Sequence, residues 1–212
     1  RVQSPPYATW GLLVVLAAVL ALLGFAGWCL MFWMRLKSYQ GPWVPLSPTE
    51  NVLRDALRRD VRFLAEDIGD RNWRVYPRLL RAAEWIEASL AQAGYKVRRL
   101  GFDVRGRRVD NLEVEISGRT RPEEIVVVGA HYDSVPGCPA ANDNASGVAA
   151  LLAVARILAN AQSERTVRLV AFANEEPPFY RTSEMGSVVY ARECRRRGER
   201  IAAMLSLVTI GY

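Results

Sequence analysis

Hydrophobic and polar positions divide the chain into stretches of three kinds. From Val2 to Met34 there is no charged residue, and Trp10 to Met34 is almost wholly apolar with no polar face. Next come two segments with apolar residues at helical spacing. The first carries Val52, Leu53, Ala56, Leu57, Val61, Phe63 and Leu64, with Thr49 or Ser47 available to cap it and Gly69 to end it. The second runs from about Pro77 to Gln92 with a stripe of Leu79, Leu80, Ala83, Trp85, Ile86 and Leu90, closed by Gly94. The period then changes. Tyr95–Val104 and Val109–Ile116 alternate as antiparallel strands do, joined by a tight turn at Arg105-Gly106-Arg107. Glu124–Ala130 and Thr166–Ala173 are β-branched runs of the kind covered on both faces, and Ile201–Ile210 reads as a further buried strand. Helices are expected over Ala145–Ala159 and Glu184–Arg197. Strands alternating with helices predict an α/β fold: a mostly parallel mixed sheet with helices on both faces, preceded by one N-terminal transmembrane helix.

The apolar stretch sets the domain organisation. It exceeds the roughly 20 residues that cross a bilayer as a helix. Trp10 at one end and Trp28, Trp33 and Tyr39 toward the other form an aromatic belt. It is too long for the apolar region of a signal peptide, and no small-residue cleavage pattern follows it. The expected divisions are a tail at 1–9, a membrane-spanning helix at 10–34, a proline-stiffened linker at 35–48 and a domain at 49–212. Arg35, Lys37, Arg54, Arg58 and Arg59 follow the span and only Arg1 precedes it, which places the domain in the cytoplasm by the positive-inside rule. A chain that opens on Arg rather than Met leaves upstream charge uncounted, so the side of this single-pass membrane protein stays open.

The net charge of +6 comes largely from arginine. Arg105–Arg108 and Arg195–Arg197 lack a recognition motif or an interleaved aromatic platform, so no nucleic-acid partner is expected. Cys29, Cys138 and Cys194 show no paired spacing and build no disulfide framework.

Candidate chemistry gathers at the strand ends, where α/β sheets form their sites. His131, the only histidine, and Asp133 follow one buried strand in GAHYDSV; Glu175 and Glu176 follow another in AFANEE; Asp143 lies between, in ANDNASG. Taken singly, His131 reads as a buried histidine, Asp143 (or Asn144) as a helix cap, and the glutamates as a solvated strand end. Together, several acids at consecutive strand ends need a common cation.

GAHYDSVPG, ANDNASGVAALL, FANEE and MGSVVYAR, in that order, resemble the zinc aminopeptidase family, the family 28 metallopeptidases, over roughly Val52 to Tyr212. The resemblance implies a zinc-exopeptidase-like fold and hydrolysis of N-terminal residues from peptide substrates by metal-activated water. It implies two zinc ions, with His131 binding one, Asp143 bridging both and Glu176 binding the second. Glu175 is then the general base, and Asp133 accepts the other N–H of the histidine. It also favours an extracytoplasmic domain.

Two departures qualify this. Val208 stands where the family's next strand carries an acidic ligand, and the family's second histidine lies downstream of Tyr212. The chain is therefore expected to be an incomplete, inactive fragment with at most partial zinc binding, its fold unfinished at the C-terminus. A single-zinc glutaminyl-cyclase-like acyltransferase and a non-catalytic membrane protein keeping the fold are the alternatives.

Overall fold

The computed structural model describes residues 6–32, 41–42 and 44–211. Arg1, Trp33, Met34, Arg35, Lys37, Tyr39 and Tyr212, which enter the span, belt and topology readings, lie outside the described residues. The chain divides into two compact units, Arg1–Pro45 and Leu46–Tyr212.

The first unit is one helix, α1 (Pro6–Phe32). It starts ahead of Trp10 because proline suits the first turn, where its missing N–H leaves no bond unmade. Within it Leu13–Phe32 is long and apolar enough to cross a membrane, a test that a signal sequence also passes.

In the second unit, helix α2 (Pro48–Arg62) is capped by Ser47 rather than Thr49. The Ser47 hydroxyl accepts the Glu50 N–H at 3.3 Å, and the Glu50 carboxylate accepts the Ser47 N–H at 2.8 Å. The helix continues as a wide turn through Ile68 and ends at Gly69 in the left-handed region, φ 73°. Helix α3 (Tyr76–Gln92) follows. Strand β1 (Arg98–Val104) begins later than the alternation suggests, because the Tyr95 N–H closes the end of α3 on Leu90 O. The link to β2 (Arg107–Ile116) is a two-residue turn: Arg105 and Gly106 take φ 48° and 80°, and Val104 pairs with Arg107. Positive φ at both positions matches the twist of a hairpin.

Strands β3 (Arg121–His131), β4 (Arg165–Phe172) and β5 (Arg200–Ser206) complete a sheet of order β1-β2-β4-β3-β5. β3 is parallel to β4 and β5, while β2 is antiparallel to β1 and β4. The sheet is therefore mixed, with only β2 running against the rest. Helices α4 (Gly147–Leu158) and α5 (Gly186–Arg196) connect its parallel strands. The pleat sorts β4 onto two cores. Leu169 and Ala171 pack with Leu79, Ile86, Leu151 and Leu152 of α3 and α4, whereas Val170 and Phe172 pack with Tyr190 and Cys194 of α5.

β5 corrects one expectation. It stops at Ser206 rather than Ile210, and all seven of its residues are exposed rather than buried. It pairs only with β3 among the described strands. Just beyond it Leu207 N still donates to Gly129 O of β3 at 2.8 Å, the Asn144 amide donates to Leu207 O at 2.8 Å, and Thr209 takes a positive φ of 49°.

Leu151 is fully buried between α4 and the sheet. Leu151→Ala should cost about 2–5 kcal/mol in urea denaturation by leaving a cavity. Ile157→Ala on the same helix, 67% exposed, should stay within about 0.5 kcal/mol.

Candidate metal centre

β3 delivers His131 as its last residue, buried to 3% exposure, and Asp133 two residues on, at 2%. β4 ends at Phe172, and the chain then turns so that Glu175 and Glu176 follow. Asn174 makes that turn in the left-handed region, φ 55°, a conformation asparagine tolerates better than most residues. Asn174 is 1% exposed, and its side-chain amide has no hydrogen-bond partner among the described residues.

Asp143 sits in an irregular turn, Ala141–Ser146, placed ahead of α4, where a longer helix was expected from Ala145. Asn144, not Asp143, takes the capping role: its Oδ1 accepts the Gly147 N–H at 3.0 Å and its Nδ2 donates to His131 O at 3.3 Å. Gly147 is required here, since a Cβ would collide with Leu207 O and the Asn144 amide. Asp143 is thereby left to face the histidine.

All five residues meet. His131 Nε2 lies 2.9 Å from Asp143 Oδ1 and 3.8 Å from Glu175 Oε2, while Nδ1 points toward Asp133 Oδ1 at 3.5 Å. His131, Glu175 and Glu176 each offer a donor atom, all within 4.8 Å of one another. Asp133 has contacts beyond the one that the resemblance implies. Its two oxygens accept the backbone N–H groups of Glu175 and Glu176, both at 3.0 Å, while Oδ1 also stands 3.5 Å from Nδ1 of His131. Asp133 thus ties the end of β3 to the glutamate pair and faces the imidazole at 3.5 Å.

The electrostatics describe an excess of negative charge. Burial, then the nearby Asp133 and Asp143 carboxylates, raise Glu175 against the opposing pull of His131. The same causes, with Glu175 added, push Glu176 up to about 7. Burial lowers the His131 imidazole, but Asp133, Glu175 and Asp143 outweigh it and carry the group to about 9. One imidazole among converging carboxylates, with Glu175 and Glu176 both raised, fits a divalent cation.

His131 and Glu175 open on a cavity of about 810 Å³ that Phe172, Met185, Tyr190, Met204 and Val208 also line. Val208 thus shares a wall with the metal-ligating candidates. Phe179 is packed edge-on against Trp73, and Tyr180 is half-exposed. The arginine-rich stretches are engaged locally: Arg105 faces Glu184 at 3.5 Å, Arg108 faces Asp110 at 3.4 Å, and Arg196 and Arg197 each reach Glu193 at 2.7 Å.

Residues 111–212 match the model of Peptidase family M28. The chain is a relative of the family M28 peptidases. It is 33% identical over 192 residues to the uncharacterized protein YfbL of Escherichia coli K12, covering 86% of this chain and 58% of that protein. It is 41% identical over 73 residues to the aminopeptidase YwaD of Bacillus subtilis, covering 34% of this chain and 16% of that protein. Among solved structures, BSAP, a zinc aminopeptidase from B. subtilis, superposes with TM-score 0.63 at 16% identity, over 80% of this chain and 71% of that one. Glutaminyl cyclase from Bacteroides thetaiotaomicron superposes with TM-score 0.62 at 22% identity, over 74% of this chain and 62% of that one. These two likenesses establish the fold. The matched family is one of peptidases, and a curated relative 31% identical over 112 residues is named as a probable zinc metalloprotease.

Two contributors escaped the sequence reading. Asn144 was visible only as one of two caps. Arg71, in a stretch that reads as loop, proves to be a buried arginine beneath the site.

Proposed function

We propose that this chain carries the catalytic site of an M28 aminopeptidase in the domain at 49–212, joined through the linker at 35–48 to a membrane anchor at residues 10–34. The observation that carries the reading is the convergence of His131, Glu175 and Glu176, from the ends of two parallel strands, with Asp143 from the turn ahead of α4. His131 Nε2, Asp143 and Glu176 would hold zinc, which when bound acidifies a water and polarises the scissile carbonyl. Glu175, its carboxyl raised by burial, accepts the proton of the attacking water and delivers it to the leaving amine. Asp133 fixes the backbone of both glutamates, and Asn144 fixes the carbonyl of His131.

Val208 presents no donor where the resemblance puts an acid, which leaves His131 and Asp143 as the protein ligands of the first ion. Catalytic zinc usually has three. The protein should hydrolyse aminoacyl-coumarin substrates in a zinc-dependent way and spare N-acetylated ones. Glu175→Gln should lower kcat about 10²–10⁴-fold with zinc content unchanged. Turnover that survives this change removes Glu175 from the mechanism.

The fold likeness to a glutaminyl cyclase, together with Val208, favours a second reading in which one zinc serves an acyl transfer. Ammonia release from peptides with N-terminal glutamine, without hydrolysis of other aminoacyl groups, selects it.

A further inference from the structure

Arg71 is fully buried, and no carboxylate lies within ion-pair distance of it among the described residues. Its guanidinium spends its donors on backbone carbonyls from three separate segments. Nε donates to Tyr132 O at 2.7 Å; one terminal nitrogen donates to Pro139 O at 2.7 Å and to Leu64 O and Gly69 O at 3.2 Å; the other donates to Ala140 O at 3.1 Å. The backbone adds two bonds to the same loop, Arg71 N to Ser134 Oγ at 2.9 Å and Ser134 N to Arg71 O at 3.0 Å. Tyr132 lies between His131 and Asp133, and Ala140 lies three residues before Asp143. A single planar fork therefore clamps both arms of the site to the end of the helical segment at Leu64–Gly69. A charge buried this deeply is costly unless its donors are all used, and a lysine ammonium lacks the planar geometry to use them.

We propose that Arg71 is a positioning residue for the metal centre, setting the separation of the His131 arm from the Asp143 arm. This rests on the metal-site reading above, and the experiment separates the two. Because His131 is the only histidine, its imidazole gives one NMR signature in the metal-free full chain, solubilised in detergent. Arg71→Lys should keep the far-UV dichroism of the parent, displace or split that signature, and weaken zinc binding in a chelator competition about 10–100-fold. Leu151→Ala serves as the control that lowers stability without moving the imidazole. An unmoved imidazole in folded Arg71→Lys overturns the proposal. Should that variant not fold, the parent still decides: once zinc is shown bound, it should shift the buried Arg71 Nε–H resonance, and an unshifted resonance in the zinc-loaded parent overturns the proposal. If the parent binds no zinc while Arg71→Lys displaces the imidazole, the metal reading fails and the positioning role stands.

Discussion

Asp133→Asn should disable the centre more thoroughly than its conservative size suggests. Both Asp133 oxygens are occupied, accepting the N–H groups of Glu175 and Glu176 at 3.0 Å, and the residue is 2% exposed. An asparagine keeps one acceptor and turns an –NH₂ toward the second amide, setting donor against donor where no water can intervene. Leaving one buried donor unsatisfied costs about 1–3 kcal/mol. In a chain of this size that lowers Tm by roughly 2–4 °C per kcal/mol. The effect on metal should exceed the effect on stability, because the same contact sets the backbone that carries Glu175 and Glu176 and places a carboxylate 3.5 Å from His131 Nδ1. Zinc affinity should fall about 10–100-fold, as it does when a group that orients ligands is removed. Calorimetric titration with zinc and a thermal melt of the same preparation read both quantities. A melt lowered with zinc affinity intact would reduce Asp133 to a structural tie.

The contrast between what was legible in the sequence and what was not follows from the range of the interactions. Helix α3 declares itself by its stripe, and β3 and β4 by continuous β-branched runs, because each signal is local and repeated. The sheet class follows from the order of such elements. The placement of His131, Asp133, Glu175 and Glu176 at strand ends was equally local. Asp143 was ambiguous because an acid before a helix is most often its cap; only the hydrogen bond from Gly147 N to Asn144 Oδ1 shows which residue caps. Arg71 was invisible for a different reason. An arginine in a polar loop ordinarily signals solvent, and its burial depends on carbonyls as distant in sequence as Ala140. β5 misled because an apolar run predicts a covered strand only where neighbours exist on both sides. Here β5 pairs with β3 alone among the described strands.

Val208→Glu should convert weak zinc binding into tight binding, with opposite effects on the metal-free and metal-loaded protein. Val208 is 38% exposed and lines the cavity that His131 and Glu175 also line. A carboxylate there joins a cluster in which Glu175 and Glu176 already resist ionisation, so the metal-free variant gains like-charge repulsion and should melt below the parent. With zinc the sign reverses, since the added oxygen supplies a missing ligand and the cation offsets the same charge. A ligand that binds only the folded state stabilises it by RT ln(1 + [L]/Kd), about 2.7 kcal/mol when zinc stands at 100 times Kd. At one fixed zinc concentration the variant should therefore show the larger upward shift in Tm, while the parent shows little. Zinc content after desalting should follow the same order, and adding His131→Ala to the variant should abolish the gain by removing its one imidazole. An equal zinc shift in parent and variant would mean that position 208 does not reach the metal. The family resemblance at that strand would then fail, and the parent's own zinc, if tightly held, would belong to a single-metal site built from Asp143 and Glu176.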